Sequence, residues 1–353
     1  MQTLLSEITR ISGVFQAAGA MPVEAAILQP ADVLLDLYGE DIRGRAYVTD
    51  DPMQGEMMLR PDFTVPVVQM HMQSRADPAR YTYAGPVFRK QDADPSRARE
   101  YTQVGFEVFD GQNPAAADAE VFATVQAALG DAPLRAATGD LGLLKAAIVG
   151  LKTTDARKAA LIRHIWRPKR FKTLLDRFGG RVSAPSKRVA LLAMDDPFAD
   201  AGPAVGLRSR REVQARIDVL RTDAATPPIA SDEIALIEAI LALSETAPHV
   251  LSTLQDIAVD MPAIGKAVAT FDARLDAMMQ RGVDVGSLRF EGSYGRTSLE
   301  YYDGFVFGFY GDKAVRPVAT GGRYDALTAV LGDGRAVPAV GGVIRPDLLL
   351  ELR

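Results

Sequence analysis

The sequence predicts an α+β fold, an antiparallel sheet flanked by helices and interrupted by a mostly helical insertion. Two observations carry the prediction. Short apolar-rich runs with strand character occupy much of residues 1–138 and return over residues 285–353, whereas residues 139–284 carry long Ala- and Leu-rich patterns of helical type. The order strands, helices, strands also departs from the regular strand–helix alternation of a parallel sheet, and it fits an antiparallel domain holding an insert.

The elements follow in chain order. Leu4, Leu5, Ile8, Ile11, Val14, Phe15 and Ala18 recur at helical spacing, so the chain opens with an amphipathic helix. From about Ala46, YVTDD and EMMLRPD flank the turn-like DPMQG and read as a pair of strands. TVPVVQMHMQS reads as a helix. RYTYAGPVFRKQD and EYTQVGFEVFDG are two further strands, on either side of ADPSRAR, a loop rich in charge and turn formers. A helix is expected from roughly Ala115 to Leu129. In the middle, SDEIALIEAILALSE is a helix that Ser231 or Asp232 would cap. Near the end, Phe305, Phe307 and Phe309 alternate, which puts three rings on one face of a strand. VRPVATGGRYDALTAVLG and VPAVGGVIRPDLLLELR complete the pattern.

Composition bounds the function. The 353 residues suffice for one large domain or two ordinary ones, and 48% hydrophobic with 24% charged residues is a globular composition able to bury a core. Lys plus Arg number 40 against 45 Asp plus Glu, and the net charge of -5 gives no general attraction for a phosphate backbone, so tRNA is not an expected partner. The absence of cysteine excludes disulfides, thiolate metal sites and cysteine nucleophiles. Glu7 and Arg10 break any signal-peptide core, and runs such as Val189 to Met194 are too short to span a membrane. A cytoplasmic setting without membrane contact is expected. His71, His164 and His249 lie far apart in sequence, so neither a metal site nor a cofactor is expected. The basic cluster RHIWRPKRFK, Arg163 to Lys172, suits either RNA or an acidic partner surface on the one hand or a solvated helix face on the other, and the solvated face, with Trp166 packed there, is the expected reading.

The segment YTYAGPVFRKQDADPSRAREYTQVGFEVFDG, Tyr81 to Gly111, concentrates the chemistry. Arg89 ends its first strand. Gln103 and Glu107 stand four apart on the second, hence on one face and roughly 13 Å apart, and Gly105 between them is expected to keep that face open. An amide and a carboxylate on a sheet floor suit a ligand with amine or imidazole donors, and they equally suit a hairpin whose polar face meets water.

This segment resembles motif 2 of class II aminoacyl-tRNA synthetases in its histidyl form. LRPDFTVP (Leu59 to Pro66) resembles that family's LRPEGTAP, LEYYDG (Leu299 to Gly304) its LDYYTG, and GGRYDAL (Gly321 to Leu327) its GGRYDGL. PAVGGVIRPDLL (Pro338 to Leu349) falls where motif 3 is expected. The resemblance implies a class II synthetase-like antiparallel sheet and a histidine pocket. In it, Asp62, Thr64 and Gln103 would hold the amino group, Asp62 being a shortened arm in place of glutamate. Glu107 and Tyr302 would read the imidazole, Tyr324 would close the pocket, and Arg89 would be the retained motif 2 arginine.

The reactive half departs from the family. Thr297 and Ser298 stand where the family has arginine and glycine, Gln91 replaces an adenine-side glutamate, and Leu348 aligns with the motif 3 arginine. Arg296 is adjacent but, on a strand, would face the other way. Loss of such cations costs orders of magnitude in a phosphoryl-type transition state. The motif 1 proline is replaced by Ala26, and no anticodon-binding domain is expected. Two families share this domain, the synthetase and the regulatory subunit of the short-form ATP phosphoribosyltransferase, and the departures resemble the second. That resemblance implies no catalytic residues, histidine as ligand, and a self-dimer within a hetero-oligomer with the short catalytic subunit. It further implies histidine feedback inhibition of the first step of histidine biosynthesis. A divergent ATP-dependent amino-acid ligase is the competing expectation, and it requires a replacement cation near Thr297 and Leu348.

Overall fold

The computed structural model describes residues 3–32, 44–74, 76–91, 97–199, 201–203, 205–296, 301–312, 316–332 and 334–353. Helix α1 (Leu4–Ala17) begins where Thr3 and Ser6 cap each other, and it buries Ile11 and Phe15 as its spacing predicts. Strands β1 (Met21–Pro22), β2 (Leu28–Pro30), β3 (Val48–Asp51) and β4 (Gly55–Leu59) follow. The DPMQG turn joins β3 to β4 because the Asp51 carboxylate accepts the N–H groups of Met53 and Gln54. Next come α2 (Thr64–Ser74), β5 (Ala79–Phe88), β6 (Glu100–Phe109), α3 (Pro114–Leu129) and β7 (Leu134–Asp140). Helix α3 starts at Pro114 with Asn113 accepting the Ala116 N–H.

The helical stretch comprises α4 (Leu141–Gly150), α5 (Asp155–Arg163), α6 (Pro168–Phe178), α7 (Ser186–Ala193), α8 (Arg210–Ala225) and α9 (Ser231–Ala242). Neither Ser231 nor Asp232 caps α9. The cap position is Ala230, and Asp232 and Glu233 sit in the first turn, where the helix dipole favours acids. Strand β8 (Ser244–Thr246), α10 (Ala247–Asp260) and α11 (Gly265–Gln280) lead to β9 (Arg289–Glu291), β10 (Phe305–Gly311), β11 (Pro317–Arg323), α12 (Asp325–Leu331), β12 (Ala339–Ile344) and α13 (Pro346–Glu351). Among the described residues no helix is long and apolar enough to cross a membrane.

Nine strands form one sheet in the order β1-β5-β6-β12-β11-β10-β7-β9-β8, and β2-β4-β3 form a second. The large sheet is antiparallel except for the pairs β1 with β5 and β7 with β9. The boundary expected between residues 138 and 139 falls within β7, which lies between β10 and β9. Strand alternation gives the large sheet two unlike faces. On one, Phe106 of β6 stacks on Phe15 of α1, and Phe122 of α3 packs against Phe305, Phe307 and Phe309. Gln103, Gly105 and Glu107 lie on the other face of β6.

Candidate functional site

On that other face a cavity of about 920 Å³ opens above the sheet. Five of the seven expected ligand residues line it: Asp62, Thr64, Arg89, Gln103 and Tyr302. Asp62 precedes α2 and is 4% exposed. Its Oδ1 is buried without a hydrogen-bond partner, and the same holds for Oε1 of Gln103. Burial pushes the Asp62 carboxyl up, against the opposing pull of Arg89 and of the Thr64 and Val65 N–H groups. Arg89, one residue beyond β5, donates through Nε to the Pro61 carbonyl at 2.8 Å, which ties it to the turn carrying Asp62. The wall thus presents two buried acceptors in want of donors. Such atoms are rare in folded proteins, and here both belong to residues that line the cavity.

Glu107 and Tyr324 are not among the lining residues. They lie beneath the wall, 1% exposed each. Glu107 Oε1 accepts from Tyr83 at 2.8 Å and from Thr64 at 3.3 Å, and Oε2 accepts from Tyr324 at 2.6 Å. Burial raises the Glu107 carboxyl to about 7, while the three hydroxyls pull it down. Burial and the neighbouring carboxylate push the Tyr83 and Tyr324 phenols up, so both remain donors. Two glycines make this packing possible. A methyl group on Gly341 of β12 would overlap the Glu107 carboxylate, and one on Gly105 would overlap the Tyr83 ring. Gly105 therefore does not leave the face open, as its small size led us to expect. Its partner across the ladder, Tyr83, fills that space.

Buried ion pairs explain the GGRYD and YYDG segments. Arg323 donates to Asp118 of α3 at 2.6 Å, and Asp118 also accepts from Arg274 of α11, which reaches Asp140 at 2.7 Å. Arg323 so anchored fixes the start of the turn on which Tyr324 reaches Glu107. Asp303 accepts the N–H groups of Asp325 and Ala326, at 3.0 Å each, and thereby caps α12. None of Asp118, Arg274 and Tyr83 was singled out from sequence. The available signal for Asp118 is an acid amid the alanines and apolar residues of PAAADAEVF.

Of the two lost catalytic positions, Thr297 lies outside the described residues, as does Ser298. Leu348 packs partly buried against the core and is absent from the cavity wall. Arg296 lies in a run of turns, not on a strand, so alternation does not turn it away, and it lines the cavity. Arg345 lines it too, with its guanidinium 4.0 Å from the Tyr101 ring centroid and 2.6 Å from Asp347. The wall thus holds two cations that stand close in the chain to the substituted positions, Arg296 beside Thr297 and Arg345 shortly before Leu348. Trp166 donates its indole N–H to the Tyr302 carbonyl at 3.2 Å, while Arg163, Arg167, Lys169, Arg170 and Lys172 are exposed. Of the three histidines, His71 is buried, stacked on Phe109 and held near pKa 4 chiefly by burial, and His249 is exposed.

The family model for histidyl-tRNA synthetase matches residues 5–195 and 209–349. The chain is 30% identical over 363 residues to the ATP phosphoribosyltransferase regulatory subunit of Mesorhizobium japonicum, covering 97% of this chain and 96% of that one. It is 30% identical over 354 residues to the protein of the same name from Brucella ovis, covering 94% and 92%. Among solved structures, an ATP phosphoribosyltransferase regulatory subunit/histidyl-tRNA synthetase from Bacillus halodurans superposes with a TM-score of 0.69 at 20% identity, covering 99% of this chain and 78% of that one. A histidyl-tRNA synthetase from Nostoc sp. gives 0.65 at 17% identity, covering 99% and 70%. Sharing the synthetase fold and matching these relatives nearly end to end, the chain belongs to the histidyl-tRNA synthetase-like family of ATP phosphoribosyltransferase regulatory subunits.

Proposed function

We propose that this chain binds histidine in the cavity and transmits its presence to a short-form ATP phosphoribosyltransferase catalytic subunit in the cytoplasm, without activating an amino acid itself. The observation that carries the reading is the pair of buried, unpartnered acceptors, Asp62 Oδ1 and Gln103 Oε1, on a cavity wall. An α-ammonium group supplies the donors they want, and Thr64 stands beside them. Tyr302 and Arg89 flank the ligand. Glu107 and Tyr324 brace the floor, and the carboxylate meets an imidazole once a tyrosine hydroxyl gives way. Leu348 at an expected arginine position supports the loss of synthetase chemistry. In this reading the chain self-associates as a dimer within a hetero-oligomer. Histidine and the substrates of the catalytic subunit then oppose one another reciprocally.

Calorimetric titration with histidine, with and without ATP, tests this. We expect histidine binding that ATP leaves unchanged, no histidine-dependent pyrophosphate exchange, and histidine inhibition of the reconstituted complex. Absence of histidine binding would sink the pocket reading. A second reading, a divergent amino-acid ligase, draws support from Arg296 and Arg345 on the wall. Amino-acid-dependent pyrophosphate exchange by the chain alone would favour it.

A further inference from the structure

We infer that Arg345 closes one part of the cavity to planar aromatic ligands, by occupying the face of Tyr101 on which a nucleobase would stack. The inference deepens the histidine reading and rests on it for the small ligand that the cavity is left to take.

Strand alternation puts Tyr101 on the same face of β6 as Gln103 and Glu107, and Tyr101 lines the cavity. Arg345 comes from the neighbouring strand. It follows β12, whose last rung pairs Ile344 with Val104, and Val343 and Arg345 both line the cavity. The guanidinium carbon of Arg345 lies 4.0 Å from the Tyr101 ring centroid, which is stacking contact. Two anchors hold it there. Asp347 accepts from Nη2 at 2.6 Å and from Nε at 3.4 Å, and the Arg345 backbone N–H donates to the Val318 carbonyl at 2.8 Å. Arg89 also stands over the ring, but at 6.0 Å from its centroid it is beyond stacking contact.

The rest of the wall gives this stack a consequence. At about 920 Å³ the cavity is larger than one amino acid fills and suits a ligand of drug size. Arg45, Arg89, Lys90, Arg97 and Arg316 line it, against the carboxylates Asp62 and Glu291, so its field favours anions. A nucleotide has the size and the charge to enter, and a bare Tyr101 ring would give its base a stacking partner. Stacking of a base on an aromatic side chain changes affinity by about tenfold to a hundredfold. With Arg345 on the ring, a base must first displace a guanidinium that is held by both the ring and a carboxylate. The stack therefore withholds from nucleotides the contact that would retain them, and it leaves the Asp62 and Gln103 side of the wall to a smaller ligand.

The test is calorimetric titration of the full chain with AMP and with ribose 5-phosphate, which keeps the phosphate and lacks the base. The wild-type chain is expected to treat the two alike, with affinities within about threefold or both too weak to measure. Arg345→Ala is expected to bind AMP at least about tenfold more tightly than the wild-type chain does, with no gain for ribose 5-phosphate. Asp347→Asn, which keeps the arginine and weakens its anchor, is expected to give a smaller gain for AMP. The Asp347 side chain is 32% exposed, so water replaces the lost ion pair, and thermal melts check that each variant folds. A wild-type preference for AMP beyond that range overturns the inference. So does a folded Arg345→Ala chain whose AMP affinity is unchanged, or whose gain ribose 5-phosphate shares. Either result leaves the histidine reading intact. If neither variant folds, the wild-type comparison decides alone. A wild-type chain that binds no histidine sinks the histidine reading, a result separate from both phosphate titrations.

Discussion

Two carboxylates on the open side of the sheet, Glu107 and Asp62, meet opposite fates. Both are buried, yet Glu107 accepts three hydroxyl donors, whereas Asp62 keeps one oxygen with no partner. The donors to Glu107 come from β5, α2 and the turn after β11, so its pairing is part of how the elements lock together. Asp62 borders the cavity beside Gln103, and its missing partner is not supplied by the fold. The contrast separates a polar floor satisfied by the fold from a polar wall that, under the proposed function, meets the ligand. A buried polar atom left unpaired costs about 1–3 kcal/mol, a cost that the proposed ligand would offset.

Four substitutions sharpen or break this contrast. The largest effect belongs to the locked side. Asp118→Ala leaves Arg274 and Arg323 without their shared carboxylate, and unfolding free energy in urea should fall by about 3–5 kcal/mol. An unchanged midpoint would mean that this network does not anchor the Tyr324 turn. On the wall, Asp62→Asn removes a buried charge while keeping the shape. Histidine affinity should drop by about tenfold to a hundredfold, while stability without ligand stays within about 1 kcal/mol. A large stability loss with binding retained would reverse the two assignments.

Glu107→Gln reads the floor through pH. The Glu107 carboxyl is raised from its ordinary 4.5 to about 7, so between those values the folded state holds a proton that the unfolded chain has released. Unfolding free energy then falls as pH rises through that window, by up to about 3 kcal/mol, and the glutamine variant should lose this slope. Identical pH profiles for the two proteins would remove the floor carboxyl from the account. The smallest effect is that of Trp166→Phe, which deletes the hydrogen bond to the Tyr302 carbonyl and should cost about 1 kcal/mol. Because Trp166 is the chain's single tryptophan, histidine binding should also alter intrinsic fluorescence. Emission unmoved by saturating histidine would place the ligand away from Tyr302, whose carbonyl Trp166 holds.

Much of the architecture was legible in the residues. Apolar spacing located α1, α2 and α3, alternation placed the three phenylalanines on the face that meets Phe122, and DPMQG announced the β3–β4 hairpin. These features depend on neighbours within a few positions, and local periodicity records them. Strand β7 was not recognised, because LRAATGD carries neither alternation nor β-branched density, and its place comes from ladders to β10 and β9. The expected ligand residues were likewise legible as motif matches, and five of them share one wall.

Composition and spacing determined the fold class, and the motif positions determined which side chains to examine. The sequence alone did not determine which of those side chains would be free to meet a ligand. Tyr83 and Tyr324 reach Glu107 across 24 and 217 residues of chain, and Arg296 is held by Ile165 across 131. Hydrogen-bond satisfaction is a property of the packed neighbourhood, and contacts at such separations exist only once the sheet, α3 and the helical stretch have assembled. Tertiary structure therefore decided that Glu107 is satisfied by three hydroxyls, that Asp62 and Gln103 each keep a buried oxygen without a partner, and that the arginine set aside by strand alternation stands on the wall.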